Sequence, residues 1–202
     1  MNLKKRPDRL AESLEECRRV GIQPQVFEAV DGSTVEIPPV WKEGAGAWGC
    51  RLSHMSVLAD AIEKQREQIC ILEDDVTFVP NFQEKLADFL AEVPTDWDAI
   101  MLGGQHCGAP EYISESVFRC ICCHRSHTIV VRGAFLRTLH GIYSSGNHHI
   151  DWNFANIQKD YRVYCPTTWL VGQRASTSDI TGMSTVSDRW WMPRRAVAKK
   201  VR

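Results

Sequence analysis

No stretch of the 202-residue chain approaches the roughly 20 consecutive apolar residues that a membrane-crossing helix requires. The N-terminal Met1-Asn2-Leu3-Lys4-Lys5-Arg6-Pro7 carries charge but lacks the apolar segment of a secretory signal, so a cytoplasmic protein is expected. Neither sign of charge is in excess: 24 Lys and Arg stand against 25 Asp and Glu, for a formal net charge of −1. That balance gives no general electrostatic reason to bind nucleic acid. The absence of an internal repeat and of low-complexity blocks sets aside solenoids and linkers.

The apolar fraction of 44% is enough for a real core, and the length suits one α/β domain or a domain with a small appendage. Charge is uneven at one end. Six basic residues and no acid lie between Arg189 and Arg202. Such a run reads either as a solvated tail or as a peripheral contact with the anionic inner face of a membrane, where each Lys or Arg adds about 1 kcal/mol.

Eight cysteines are present, four of them at Cys107, Cys120, Cys122 and Cys123, with His124 and His127 close by. Structural zinc sites pair ligands at C-x₂₋₄-C with a second pair at a distance. Here the segment runs directly into the strand-like Thr128-Ile129-Val130-Val131, so reduced, buried cysteines are the expectation.

Pro7 in a first turn, Leu10 and Leu14 on one face, and Gly21 as a stop predict a helix over 6–20. Residues 25–29 read as a strand before the Asp31-Gly32 turn, and 33–47, with Pro38-Pro39 and Gly44-Ala45-Gly46, as a loop. A second helix is expected over 48–65, with Leu52, Met55, Leu58, Ala59 and Ile62 as its apolar stripe. Ile69-Cys70-Ile71-Leu72 is a continuous apolar run of the kind found in parallel strands covered on both faces. A helix over 81–93, a strand over 98–102, strand-rich 119–132, helices over 133–142 and 150–160 and a strand over 161–164 complete the pattern. Strands alternating with helices predict an α/β sheet with crossover helices.

Glu73-Asp74-Asp75 follows the apolar run directly, and three acids there are costly unless they meet a partner, a cation or water. In open α/β sheets the carboxyl ends of the strands form the ligand crevice. Strand alternation puts Glu73 and Asp75 on one side, an acid-x-acid pair suited to a hard ion such as Mn²⁺ or Mg²⁺. The competing role is capping of the next turn. Ser53 and His54 lie one turn into the second helix, near a terminus that favours anions, or are a plain hydrogen-bonded pair. Asp151, after the polar loop 144–149, is a candidate general base or a helix cap. Gln173 and Ser178-Asp179 are late-arriving ligands or loop. Trp41, Trp48, Trp152, Trp190 and Trp191 offer sugar-stacking surfaces or core packing.

Taken in order, Asn2-Leu3-x-x-Arg6-x-x-Arg9, Phe27-Glu28-Ala29-Val30-Asp31-Gly32, Gly49-Cys50-Arg51-Leu52-Ser53-His54, Ile71-Leu72-Glu73-Asp74-Asp75, Trp97-Asp98 to Leu102-Gly103 and Gln173 to Ile180 resemble glycosyltransferase family 25 over about residues 2–182. The resemblance implies a GT-A-like fold with a Rossmann-like, mostly parallel sheet. It implies metal-assisted transfer of a sugar, most often galactose from UDP-galactose, with inversion onto a glycan or lipid-linked glycan. It carries Asn2, Leu3, Arg6, Arg9, Ala29, Asp31, Ser53, His54 and Asp74 over to the donor side, Glu73 and Asp75 to the metal, and leaves Asp75 and Asp151 as the catalytic pair. Residues 1–104 would form the nucleotide-sugar half and 105–185 the acceptor half of one domain, with 186–202 as a basic tail. Family members place an apolar strand before the Asn-Leu pair, whereas only Met1 precedes Asn2 here. The expected sheet therefore has a truncated first strand, which would expose strand edges and remove part of the base pocket. An inactive module that binds a nucleotide or glycan, and a metal-dependent hydrolase, are the rival readings.

Overall fold

The structure, a computed structural model, describes residues 1–190. Most of the basic tail therefore lies outside the described residues.

Five α-helices and ten strands follow in chain order: α1 (Pro7–Arg19), α2 (Gly44–Glu63), β1 (Gln68–Leu72), β2 (Val76–Phe78), α3 (Phe82–Glu92), β3 (Ala99–Met101), β4 (Gln105–His106), β5 (Glu111–Tyr112), β6 (Val117–Arg119), β7 (Cys123–His124), β8 (Thr128–Arg132), α4 (Phe135–Ser145), α5 (Ile150–Ile157), β9 (Val163–Pro166) and β10 (Val171–Gln173). The central sheet has the order β1-β8-β3-β9-β6-β5. Two antiparallel ribbons, β2–β10 and β4–β7, flank it.

The sheet is mixed α/β as expected, but mostly antiparallel instead of mostly parallel. Among the described strands only β3 and β9 pair in parallel, while β8 inserts antiparallel between β1 and β3. An apolar run marks a buried strand, yet its direction is set by which distant strand lies beside it, and β8 is more than 50 residues from β1.

Strand alternation builds two cores. Ala99, Met101, Ile129 and Val131 point to one face and pack against Leu58 and Ala61 of α2, Phe135 and Leu139 of α4 and Phe154 of α5. Ile100 and Leu102 point to the other, against Cys17 of α1, Phe82 and Phe89 of α3 and the β2–β10 ribbon.

Two helices bury a different stripe from the one hydrophobicity predicts. In α2 the buried line runs through Ala47, Arg51, His54, Leu58 and Ala61, while Ala59 is exposed. In α1 it is Arg9, Ser13 and Cys17, and Leu10 and Leu14 are only half-buried. Both stripes keep the helical period. Charged residues can occupy them because each finds a partner: Arg9 in Asp74 and Asp75, Arg51 in the carbonyls of Gly146 and Ser144, and His54 in Glu73. Residues 25–29 form a single parallel bridge, Asn2 with Glu28, not a strand. The Met1 amino group donates to the Leu72 carbonyl at 2.6 Å. Beside the outer edge of β1 runs a groove of about 490 Å³, lined in part by Leu10, Leu14, Phe27 and Ile69.

Candidate active site

A cavity of about 520 Å³ opens at the carboxyl end of β1. Its walls come from the start of the chain, residues 29–32, α2, the 73–75 turn, the 124–127 segment, the start of α5 and residues 173–181.

β1 ends at Leu72, so Glu73-Asp74-Asp75 is a turn and strand alternation does not apply: all three acids line the cavity. The turn is held from several sides. Glu73 N donates to His127 O at 2.9 Å. Arg174, just past β10, donates to the carbonyls of Asp74 and Val76, both at 2.8 Å, and its backbone N–H donates to that of Asp75 at 2.6 Å. Antiparallel pairing sets Gln173 opposite Val76, and its Nε2 donates to Asp75 Oδ2 at 3.2 Å.

The acids have different partners. Asp74 pairs with Arg9 and accepts from Asn2 Nδ2 at 2.7 Å. Burial raises the Asp74 carboxyl, against the opposing pull of Arg9 and Asn2. Asp75 Oδ2 lies 3.2 Å from Arg9, whereas Oδ1 is buried without a hydrogen-bond partner among the described residues. Burial, reinforced by the charges of Glu73 and Asp74, pushes Asp75 up to about 7. Burial opposes ionisation of Glu73 too, but the His54 imidazole, 3.2 Å away, and the nearby His127 and His149 hold it at about 2.

Hard carboxylate oxygens, one of them orphaned, fit an oxygen-preferring divalent cation, which Asp75 and Glu73 could hold. Arg9 and Arg6 also meet Asp179, at 3.4 and 2.6 Å, which ties the 178–181 segment over the site.

Opposite the acids, Asp151 sits in the first turn of α5 and accepts from Ser126 N at 2.9 Å. Trp152 is about half exposed and packs edge-on against His124 at 4.4 Å, both on the cavity wall.

Of the residues assigned from sequence, Asn2, Leu3, Arg9, Ala29, Asp31, Ser53, Glu73, Asp74, Asp75 and Asp151 all border the one cavity. His54 is fully buried behind Glu73, and Arg6 stands outside, bound to Asp8 and Asp179. The Ser53 hydroxyl donates to Gly49 O and accepts from Val30 N at 2.8 Å, so it fixes the 29–32 wall. Asp31 caps the short turn that follows it and pairs with Lys5. His127, noted in the sequence only beside the cysteines, lines the cavity with Ser126 and Arg125, and Arg174 holds the acidic turn; the sequence assigns none of the four a role there. Arg125 has a left-handed backbone (φ 73°), a constrained turn that only the structure shows.

Acidic and basic side chains thus line one cavity at the carboxyl end of a strand in a mixed α/β protein. Residues 1–124, more than half of the chain, match the model of glycosyltransferase family 25 (LPS biosynthesis protein). The chain belongs to that family. Human procollagen galactosyltransferase 2 is 31% identical over 123 residues, covering 51% of this chain and 20% of the relative; the mouse protein is 30% identical over the same shares. Mouse inactive glycosyltransferase 25 family member 3 is 28% identical over 134 residues, 56% of this chain and 23% of the relative. The matched part thus spans about a fifth of the length of these relatives. Among the described residues no helix is long and apolar enough to cross a membrane.

Proposed function

We propose that this chain is a nucleotide-sugar-dependent glycosyltransferase with a GT-A-like architecture, and that it moves a hexose with inversion onto a glycan or lipid-linked glycan. Galactose from UDP-galactose is the donor the family favours, and two relatives carry the name galactosyltransferase. The observation that carries the reading is the convergence of Glu73, Asp74 and Asp75 on one cavity wall, with Asp151 on the same cavity.

Asn2, Leu3, Ala29, Asp31 and Ser53 form the donor side, and Arg9 faces the diphosphate. Asp75 with Glu73 would hold a divalent ion, Mn²⁺ or Mg²⁺, which when bound would neutralise the diphosphate and stabilise it as a leaving group. The acceptor hydroxyl oxygen bonds to the anomeric carbon as the bond from that carbon to the diphosphate oxygen breaks. Asp151 takes the acceptor proton. Trp152 offers the sugar an apolar face.

A second reading has its own support. Relatives of similar identity are named inactive, and Arg9 already pairs with the acids. In that reading the chain binds a nucleotide or glycan without turnover.

Titration calorimetry with UDP, with and without Mn²⁺, followed by product analysis with UDP-sugars, separates the readings. Metal-dependent UDP binding with an extended glycan supports the transferase. Binding without product supports the module, free sugar points to a hydrolase, and no binding by a folded sample removes the donor site.

A further inference from the structure

Away from the cavity, the ribbon β4–β7 leans on the central sheet where four ligand-forming side chains meet. Antiparallel pairing sets His106 opposite Cys123. Cys120 follows β6 directly and its N–H donates to Val163 O of β9 at 2.8 Å. Cys165 lies in β9 itself. The ligand atoms of His106, Cys120 and Cys123 lie within 4.8 Å of one another. Cys165 Sγ lies 3.6 Å from His106 Nε2. Cys120, Cys123 and Cys165 are fully buried, and His106 is 8% exposed.

We propose that His106, Cys120, Cys123 and Cys165 form a Cys₃His zinc site that fastens the β4–β7 ribbon to the central sheet.

Geometry is the first support. Zn–S near 2.3 Å and Zn–N near 2.0–2.1 Å in a tetrahedron give a nitrogen–sulfur edge of about 3.6 Å and a sulfur–sulfur edge of about 3.8 Å. The His106–Cys165 edge already has that length. The ligand atoms of His106, Cys120 and Cys123 lie at most 4.8 Å apart, which leaves about 1 Å of closure on each of their three edges, and Cys165 joins the set through its contact with His106.

The second support is how firmly the ligands are aimed. Gln158 is buried and grips the Cys123 backbone from both sides, accepting from its N–H at 2.7 Å and donating to its carbonyl at 2.8 Å. His106 stacks on Trp169 at 4.9 Å. Gly104 clears the space for the thiol, since a Cβ there would lie 2.6 Å from Cys123 Sγ.

The third support is the cost of the cluster without an ion. His106 Nδ1 is buried with no hydrogen-bond partner among the described residues, and the other nitrogen meets the Cys165 thiol at 3.6 Å. Weak S–H donors repay little of that burial, whereas a soft-ligand cation repays it directly.

Four protein ligands in a dry setting leave no open position, so the site is structural and separate from the acid-lined cavity. Cys120-x-x-Cys123 does meet the usual pair spacing, but its partners His106 and Cys165 come from distant strands. Zinc uptake displaces protons from up to three thiols into solvent.

The test uses the full chain, purified under reducing conditions and given Zn²⁺ or Co²⁺ alone. One zinc per chain is expected by elemental analysis, and cobalt should give sulfur-to-metal charge-transfer absorption with the d–d bands of a tetrahedral ion. Cys107→Ser and Cys122→Ser, at the neighbouring Cys107–Cys122–His124 cluster, should keep the metal. Cys120→Ser and Cys165→Ser should lose it. After chelation the melting temperature should fall and recover with Zn²⁺ but not with Mn²⁺. Folded, fully reduced wild-type protein that takes up neither ion overturns the proposal, as does a native disulfide within the four. Metal lost from Cys107→Ser and Cys122→Ser but kept in the other two would assign the ion to the neighbouring cluster. Should Cys120→Ser fail to fold, the wild-type cobalt spectrum and the zinc-specific recovery decide.

Discussion

Arg9 stands between Asp74 and Asp75, 3.2 Å from Oδ2 of Asp75, whose second oxygen is buried and unpartnered among the described residues. One guanidinium thus meets both of these acids and Asp179 as well, with Glu73 adjoining, and the roles proposed for these groups can be measured.

Asp75→Asn should lower turnover by at least about a hundredfold, since a metal-holding carboxylate supplies several kcal/mol to the transition state. The fold should survive. Near-native turnover would remove Asp75 from the mechanism. The same variant tests a pH effect in metal-free protein. Burial raises the Asp75 carboxyl from 3.8 to about 7, so its contribution to stability is full below about pH 4 and is lost as pH rises through about 7. Wild-type melting temperature should therefore drop between pH 5 and 8 more than that of Asp75→Asn.

Asp151→Asn should reduce kcat by about a hundredfold or more with little change in donor KM, because a proton acceptor acts on the acceptor hydroxyl and not on donor binding. A loss confined to KM would make Asp151 a binding residue.

Removing Arg9 leaves buried acids without their cation. Arg9→Met should destabilise the chain by roughly 3 kcal/mol in denaturant unfolding at neutral pH. A change below about 0.5 kcal/mol would show that the acids find water or another partner instead.

Gly49 of α2 touches the 30–32 segment backbone to backbone. A Cβ there would lie 2.5 Å from both Gly32 N and Val30 O. Gly49→Ala should cost more than about 3 kcal/mol or prevent folding, while Ser56→Ala on the exposed face of α2 should cost little. A well-folded Gly49→Ala with intact UDP binding would contradict the contact.

Far from the site, Glu16 ties α1 to β2. It pairs with Arg19 and accepts from Thr77 Oγ1 at 2.9 Å and Phe78 N at 3.1 Å. The Arg19 bond holds it at about 2 against the opposing effect of burial, helped by Thr77 and the Phe78 N–H. A depressed carboxyl stabilises above its unfolded value near 4.5, and that stability is lost as pH falls through about 2. The melting-temperature gap between wild type and Glu16→Gln at pH 7 should close as pH approaches 2. A gap unchanged by acid would show packing, not charge, as the cause.

What the sequence determined by itself were the local features. Pro7 and the helical period located α1, the run Ile69–Leu72 located β1, and the three acids after it located one wall of the cavity. The ordered motifs located the family. These are signals carried by neighbours in the chain. The tertiary structure decided what depends on distant neighbours. Insertion of β8 between β1 and β3 made the sheet mostly antiparallel. Arg51 and His54 took core positions in α2 because their polar atoms find partners there: Arg51 in the carbonyls of Gly146 and Ser144 and over the rings of Trp41 and Trp48, His54 in Glu73. A hydrophobic stripe cannot show this, since burial of a polar group follows from its partner and not from its own polarity. The ending of β1 at Leu72 turned an alternating strand into a turn with all three acids on the cavity. The four-ligand cluster was least visible of all, because His106 and Cys165 are brought to Cys120 and Cys123 only by strand pairing across the sheet.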